Sequence, residues 1–165
     1  MGIKSMLNCG QLTEFVIKRA LYDLQMLSDD AVELMIFTCA NESSGGTYLH
    51  QVKGPALGIY QMEPATYNDI WQNFILFKSS ILIQLVHNFD APTMPSEDRL
   101  VYDLRFATAM ARIHYARVKE PLPKANDVEA IWNYYKTHYN TSAGKANWIQ
   151  ANDAYHRFKM HSPTL

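Results

Sequence analysis

Apolar residues recur along this chain at intervals of three and four, and strand-like alternation hardly appears. Between Leu12 and Leu27 the positions Phe15, Val16, Ala20, Leu21, Leu24 and Leu27 form one stripe, the pattern of a helix that buries a single face. Ser28 then offers an N-cap, and Asp29 and Asp30 suit the positive end of a helix dipole. A second helix is predicted through Ala31, Leu34, Met35 and Thr38, expiring near Asn41 to Gly45. Helical spacing resumes over Ala65 to Phe77, Ile81 to Asn88, Glu97 to Val118 with Ser96 as its cap, Val128 to His138, and Ala146 to Phe158. Proline-bearing linkers, "DAPTMPSEDR" and "KEPLPKAND", separate the later helices, and the tail 159–165 is expected to fray. The pattern predicts a mainly α single domain over 1–165.

One stretch breaks the rhythm. Ser44 to Pro64 carries Gly45, Gly46, Gly54, Pro55, Gly58 and Pro64, so it should be irregular or at most a short hairpin. A loop of this length inside a compact domain is usually functional.

Composition narrows the picture. At 165 residues and 48% apolar, the chain can build one well-buried core and has no room for a second ordinary domain. Basic and acidic residues nearly cancel, 15 against 16, which argues against nucleic acid as a partner. Cys9 and Cys39 form no CxxC and the six histidines form no HExxH, so no metal and no cofactor are expected. The most apolar run, "FILFKSSILIQLV", is broken by Lys78, Ser79 and Ser80, too short and too polar to insert in a bilayer. "MGIKSMLNCGQLTEF" lacks the apolar core of a secretory signal. The expectation is a protein made soluble in a cytoplasm with free thiols.

Candidate chemistry centres on Glu42. It sits where the second helix should end, beside Met35, Cys39 and Ala40, so its carboxyl group should meet an apolar wall, which raises a carboxyl pKa. Such a group can serve as a general acid and, once it has given up its proton, as a base. Gly54 and Gly58 would let backbone approach a ligand, and Gln61 offers both an amide donor and an acceptor. Glu63 and Asp69 are the nearest candidates for a second carboxylate. Most aromatics follow helix stripes and read as core, whereas Tyr60, in the loop, is expected to touch substrate. Cys39 reads as a small buried residue rather than a nucleophile.

"ANESSGG" followed by "GPALGIYQMEPAT" resembles the paired signature of the lytic transglycosylases of the lysozyme-like superfamily: a helix-ending Glu-Ser, a glycine-bearing loop, then a Gly/Gln/Pro/Thr phrase. "LRFATAMARIHYARV" resembles that family's helix of small residues behind the catalytic glutamate. "YYKTHYNTSAGKA" resembles its closing Tyr-Asn element, aligned on Tyr139 and Asn140, with Tyr134 or Tyr135 as lesser fits. The likeness is nearest to short transglycosylase-like proteins of tailed bacteriophages and runs from about Asp30 to Ala146. Pro55 departs from the pattern by lengthening the loop by one residue.

The resemblance implies a lysozyme-like fold in which the irregular loop follows the catalytic helix. It implies Glu42 as the catalytic acid and base, and Ser43, Gly58, Tyr60, Gln61, Glu63, Tyr139 and Asn140 as substrate-binding residues, with Tyr139 orienting the acid. The implied activity is cleavage of the MurNAc-GlcNAc β-1,4 bond of bacterial peptidoglycan, leaving 1,6-anhydromuramyl ends. Access to the wall would come through a separate holin or as a virion component. A hydrolysing muramidase using Glu63 or Asp69, and a non-catalytic glycan-binding virion protein of the same fold, are the alternatives.

Overall fold

The helical stripes become a layer of helices packed on α3 (Asp29–Glu42) in the computed structural model, which describes residues 5–140 and 145–162. Before it, α1 (Cys9–Leu12) runs through a π-helical turn, Thr13–Ile17, into α2 (Lys18–Asp23). After the loop come α4 (Pro64–Asn73), a 3₁₀ turn (Ile75–Phe77), α5 (Ser79–Phe89), the short α6 (Arg99–Tyr102), α7 (Leu104–Ala116), α8 (Val128–His138) and α9 (Trp148–Met160). The chain is mainly helical, and among the described residues no helix is long and apolar enough to cross a membrane.

α3 is buried nearly all round: from Ala31 to Ala40 every residue except Glu33 is in the core, and α2, α7, α8 and α9 all lie against it. Its start is set locally, with Ser28 in an extended conformation accepting from the Ala31 amide at 3.1 Å, the expected cap. Asp127 caps α8 in the same way, accepting from Ala130 N at 3.0 Å. The small residues of α7, Ala107, Thr108, Ala109 and Ala111, are buried, and the Tyr115 hydroxyl lies 2.9 Å from Thr38 Oγ1, tying α7 to α3.

Three expectations are corrected. The stripe from Leu12 to Leu27 is not continuous, because the π turn inserts an extra residue per turn and rotates the face. Phe15 is 68% exposed, and Leu27 (47%) lies beyond the helix end, which Gln25 marks with φ 59°. The helix foreseen over Glu97 to Val118 divides at Asp103, whose backbone is extended and whose carboxylate caps α7 through Phe106 N at 2.9 Å. Ser96 serves only the turn before it, accepting from Asp98 N at 3.3 Å. The tail is held as far as Ser162: Lys159 pairs with Glu33 at 2.9 Å, and the Cys9 amide donates to the His161 carbonyl at 3.0 Å. Residues 163–165 lie outside the described residues, as do 141–144 of the closing element.

The loop between α3 and α4 is a chain of tight turns with two isolated bridges, His50 to Leu57 and Leu57 to Met62, in keeping with the irregular segment or short hairpin foreseen. Leu57 and Met62 exchange both backbone hydrogen bonds, at 2.9 and 3.0 Å. At its centre Gly58 adopts φ +76° and its amide donates to Leu49 O at 2.7 Å.

Candidate functional site

Glu42 is the last residue of α3, and the chain leaves it through a turn that the neighbouring side chains build. Ser43 is fully buried; its hydroxyl donates to Cys39 O at 3.2 Å and accepts from Gly46 N at 2.9 Å. Gly45 follows at φ +66°, where a Cβ would come within 2.5 Å of the Phe158 ring on α9. This packing swings the loop away from the helix axis and leaves the Glu42 carboxyl group facing a cleft of about 990 Å³. Large sites for small molecules reach about this size.

Glu42 Oε1 accepts a hydrogen bond from the Tyr135 hydroxyl at 2.6 Å and a longer one from Asn140 Nδ2 at 3.5 Å. The Asn140 amide is oriented by Lys136, which can only donate and reaches Asn140 Oδ1 at 3.0 Å, so the nitrogen is left for the carboxylate. Burial disfavours the charged carboxylate and raises the Glu42 pKa, while the bonds from Tyr135 and Asn140 favour it and hold the rise in check. The result is a carboxyl group that holds its proton to higher pH than an exposed glutamate. Behind it, burial pushes the Cys39 thiol up to about 12, so this residue is a packing element.

The expected site residues separate into two groups. Gln61, Glu63, Tyr139 and Asn140 line the cleft with Glu42. Gln61 sits at φ 48° and turns its amide nitrogen onto Gly58 O at 2.8 Å, which leaves its carbonyl oxygen for a ligand. Glu63 precedes α4 at the N-cap position without capping it. Ser43, Gly58 and Tyr60 do not line the cleft, and the expectation that they meet substrate is corrected by their packing. Ser43 builds the turn. A Cβ at Gly58 would stand 2.2 Å from Leu100 O, so this glycine lets the loop lie on α6. The Tyr60 ring is 1% exposed, with its hydroxyl 2.9 Å from Thr108 Oγ1.

The expectation that Tyr139 orients the acid is also corrected. Its hydroxyl donates to Tyr60 O at 2.7 Å, pinning the loop to the end of α8, while Tyr135, one helical turn earlier, supplies the hydroxyl on Glu42. The two rings lie near parallel, 6.2 Å apart. Sequence reading also missed His114 and Arg117, which line the same cleft from the end of α7. Arg117 Nη2 lies 2.9 Å from His114 Nδ1 and Nη1 lies 2.5 Å from Asp69 Oδ2. Burial, and then the nearby Arg117 charge, drive the His114 pKa down to about 4, so its ring is neutral at neutral pH. Hydrogen bonds from Asn73 and Arg117 hold Asp69 below the usual carboxylate range. Among the described residues no three His, Cys, Asp or Glu side chains gather as a metal site would require.

No protein-family model, curated protein or solved structure matches this chain.

Proposed function

We propose that this chain is a lysozyme-like peptidoglycan-cleaving enzyme that acts on the MurNAc-GlcNAc β-1,4 bond as a lytic transglycosylase. The observation that carries the reading is the convergence of Glu42, Gln61, Tyr139 and Asn140 on one cleft, although they come from stretches far apart in the chain. Added to this is a carboxyl group whose pKa burial raises. In the proposed reaction the protonated Glu42 gives its proton to the glycosidic oxygen as the bond to the muramyl C1 breaks. The carboxylate so formed, stabilised by the Tyr135 and Asn140 donors, then takes the proton of the muramyl C6 hydroxyl, whose oxygen closes on C1. An internal hydroxyl held at the reacting carbon competes with water through effective concentration, which reaches ~10⁵ M or more in well-oriented cases.

The hydrolysing alternative has one observation in its favour: Glu63 lines the same cleft and could direct a water molecule. Asp69, the other candidate, is engaged with Arg117 and Asn73. In the phage setting that the resemblance implies, the enzyme reaches the wall after holin release or within a virion. The test is digestion of purified sacculi by the wild type and by Glu42→Gln. Soluble fragments are expected from the first, and at least ~10²-fold slower release from the second, the scale of a lost general acid. Equal release by both would remove Glu42 from the chemistry.

A further inference from the structure

Among the described residues lining the cleft, the acids are Glu42 and Glu63, and Arg117 is the sole permanent cation. Its guanidinium is held from two sides, by Asp69 Oδ2 on α4 at 2.5 Å and by His114 Nδ1 on α7 at 2.9 Å. Arg117 can only donate, so His114 Nδ1 must accept and the ring proton sits on Nε2. The opposite edge of the ring hydrogen-bonds the backbone of His138, next to Tyr139 and Asn140, and the ring packs edge-on against Tyr139 at 5.1 Å. A neutral imidazole orients the guanidinium without neutralising it.

The compensation from Asp69 is incomplete. That carboxylate is 49% exposed and also accepts from Asn73 at 2.7 Å, through its other oxygen. A guanidinium carries five N–H donors, of which these contacts occupy two. The Arg117 side chain remains 27% exposed at the cleft wall. A planar, partly exposed fork of donors on the sole permanent cation among the described residues lining the cleft suits a planar monoanion, which can take two parallel N–H bonds.

We propose that Arg117 forms a carboxylate-binding subsite of the cleft, which selects glycan carrying carboxylate-bearing side arms over bare glycan. This rests on the glycan-cleaving reading above, whose substrate bears free carboxylates on its peptide arms, or on the lactyl group where no peptide is amide-linked to it. Asp69 and His114 act as positioning residues that hold the fork. A dianion such as a phosphate monoester is disfavoured, because Asp69 already supplies one negative charge beside the same guanidinium.

The test measures binding rather than turnover, using the full chain carrying Glu42→Gln so that the polymer survives. Sedimentation with purified sacculi is compared with sacculi whose carboxylates have been converted to neutral amides by carbodiimide and ethanolamine. Amidation is expected to weaken binding ~10-fold, the scale of losing a charge-assisted pair. Adding Arg117→Gln should weaken binding to native sacculi by the same factor and remove the sensitivity to amidation. Arg117→Lys, which keeps the charge without the fork, should fall between. If native and amidated sacculi bind alike while the wild type releases fragments, the subsite is refuted and the catalytic reading stands. An equal loss on amidation with and without Arg117→Gln assigns the carboxylate contact elsewhere and also refutes it. Absence of both binding and fragment release overturns the glycan reading itself, and this subsite with it.

Discussion

Gly58 offers the sharpest separation between a glycine that meets ligand and a glycine that lets two pieces of backbone touch. Replacing it with alanine places a methyl 2.2 Å from Leu100 O and 3.0 Å from Leu100 C, where ordinary contact begins near 3.4 Å. Relief would require more than an ångström of movement. Leu100 is buried in α6, and α6 is fastened by the Arg99–Asp103 ion pair at 3.0 Å and by Arg99 lying 4.4 Å over the Phe106 ring, so the carbonyl has little freedom to retreat. A left-handed backbone costs an L-residue ~1–2 kcal/mol. Overpacking a tight site adds ~1–3 kcal/mol. The sum, ~2–5 kcal/mol, is a large part of the ~5–15 kcal/mol that holds a typical domain. At ~2–4 °C per kcal/mol for a chain of this size, Gly58→Ala should lower Tm by roughly 4–20 °C in a thermal melt followed by circular dichroism. Below that melt, the folded variant should still bind sacculi, because Gly58 does not line the cleft. A variant that melts within about 3 °C of wild type and yet loses its glycan affinity would refute the packing argument and return Gly58 to the substrate.

Tyr135→Phe removes the 2.6 Å donor that favours the Glu42 carboxylate, so the Glu42 pKa should rise further and the alkaline limb of the kcat/KM profile should move to higher pH, while Tyr139→Phe leaves that limb in place; a limb that moves down, or only with Tyr139→Phe, would contradict the assignment. Glu42→Gln should stabilise the fold at pH 8 in urea titrations. A carboxyl whose folded pKa is raised contributes stability that is present below its unfolded value and lost as pH rises through the folded value, so this gain should vanish below pH ~4.3; a gain that grew in acid would reverse the sign. The His114 ring, followed by NMR, should remain neutral until the pH approaches about 4 and should carry its proton on Nε2; titration near its unperturbed value would mean that the ring is neither buried nor bracketed by Arg117 as described.

Helix periodicity made most of the fold legible, because helices that bury one face must repeat apolar residues at 3.6, and Ser28 and the proline linkers mark their ends. It failed where a local feature changes register without changing composition. The π turn at Thr13–Ile17 shows no glycine or proline, and Asp103 reads as one polar position in a long stripe until its carboxylate is seen to restart the helix. Glu42 was legible as an acid at a helix end beside apolar neighbours. Its partner was harder to name, since Tyr135 and Tyr139 are one turn apart on the same face and only three-dimensional register decides which hydroxyl reaches Oε1. Tyr60 misled because loop position suggested exposure, whereas the turns around it fold the ring into the core. His114 and Arg117 gave no sequence signal: their meaning comes from Asp69, 48 residues before Arg117.

The central claim, that Glu42 works with an internal hydroxyl of the glycan rather than with water, is tested most directly by mass spectrometry of the fragments released from purified peptidoglycan. Transglycosylation closes the muramyl residue on itself, so its ends should be 1,6-anhydromuramyl, about 18 Da lighter than the reducing ends to which a hydrolase has added water. Fragments carrying the lighter ends, released by the wild type and not by Glu42→Gln, are the predicted result. Exclusively reducing muramyl ends would contradict it and make Glu63, on the same cleft, the carboxylate that directs water.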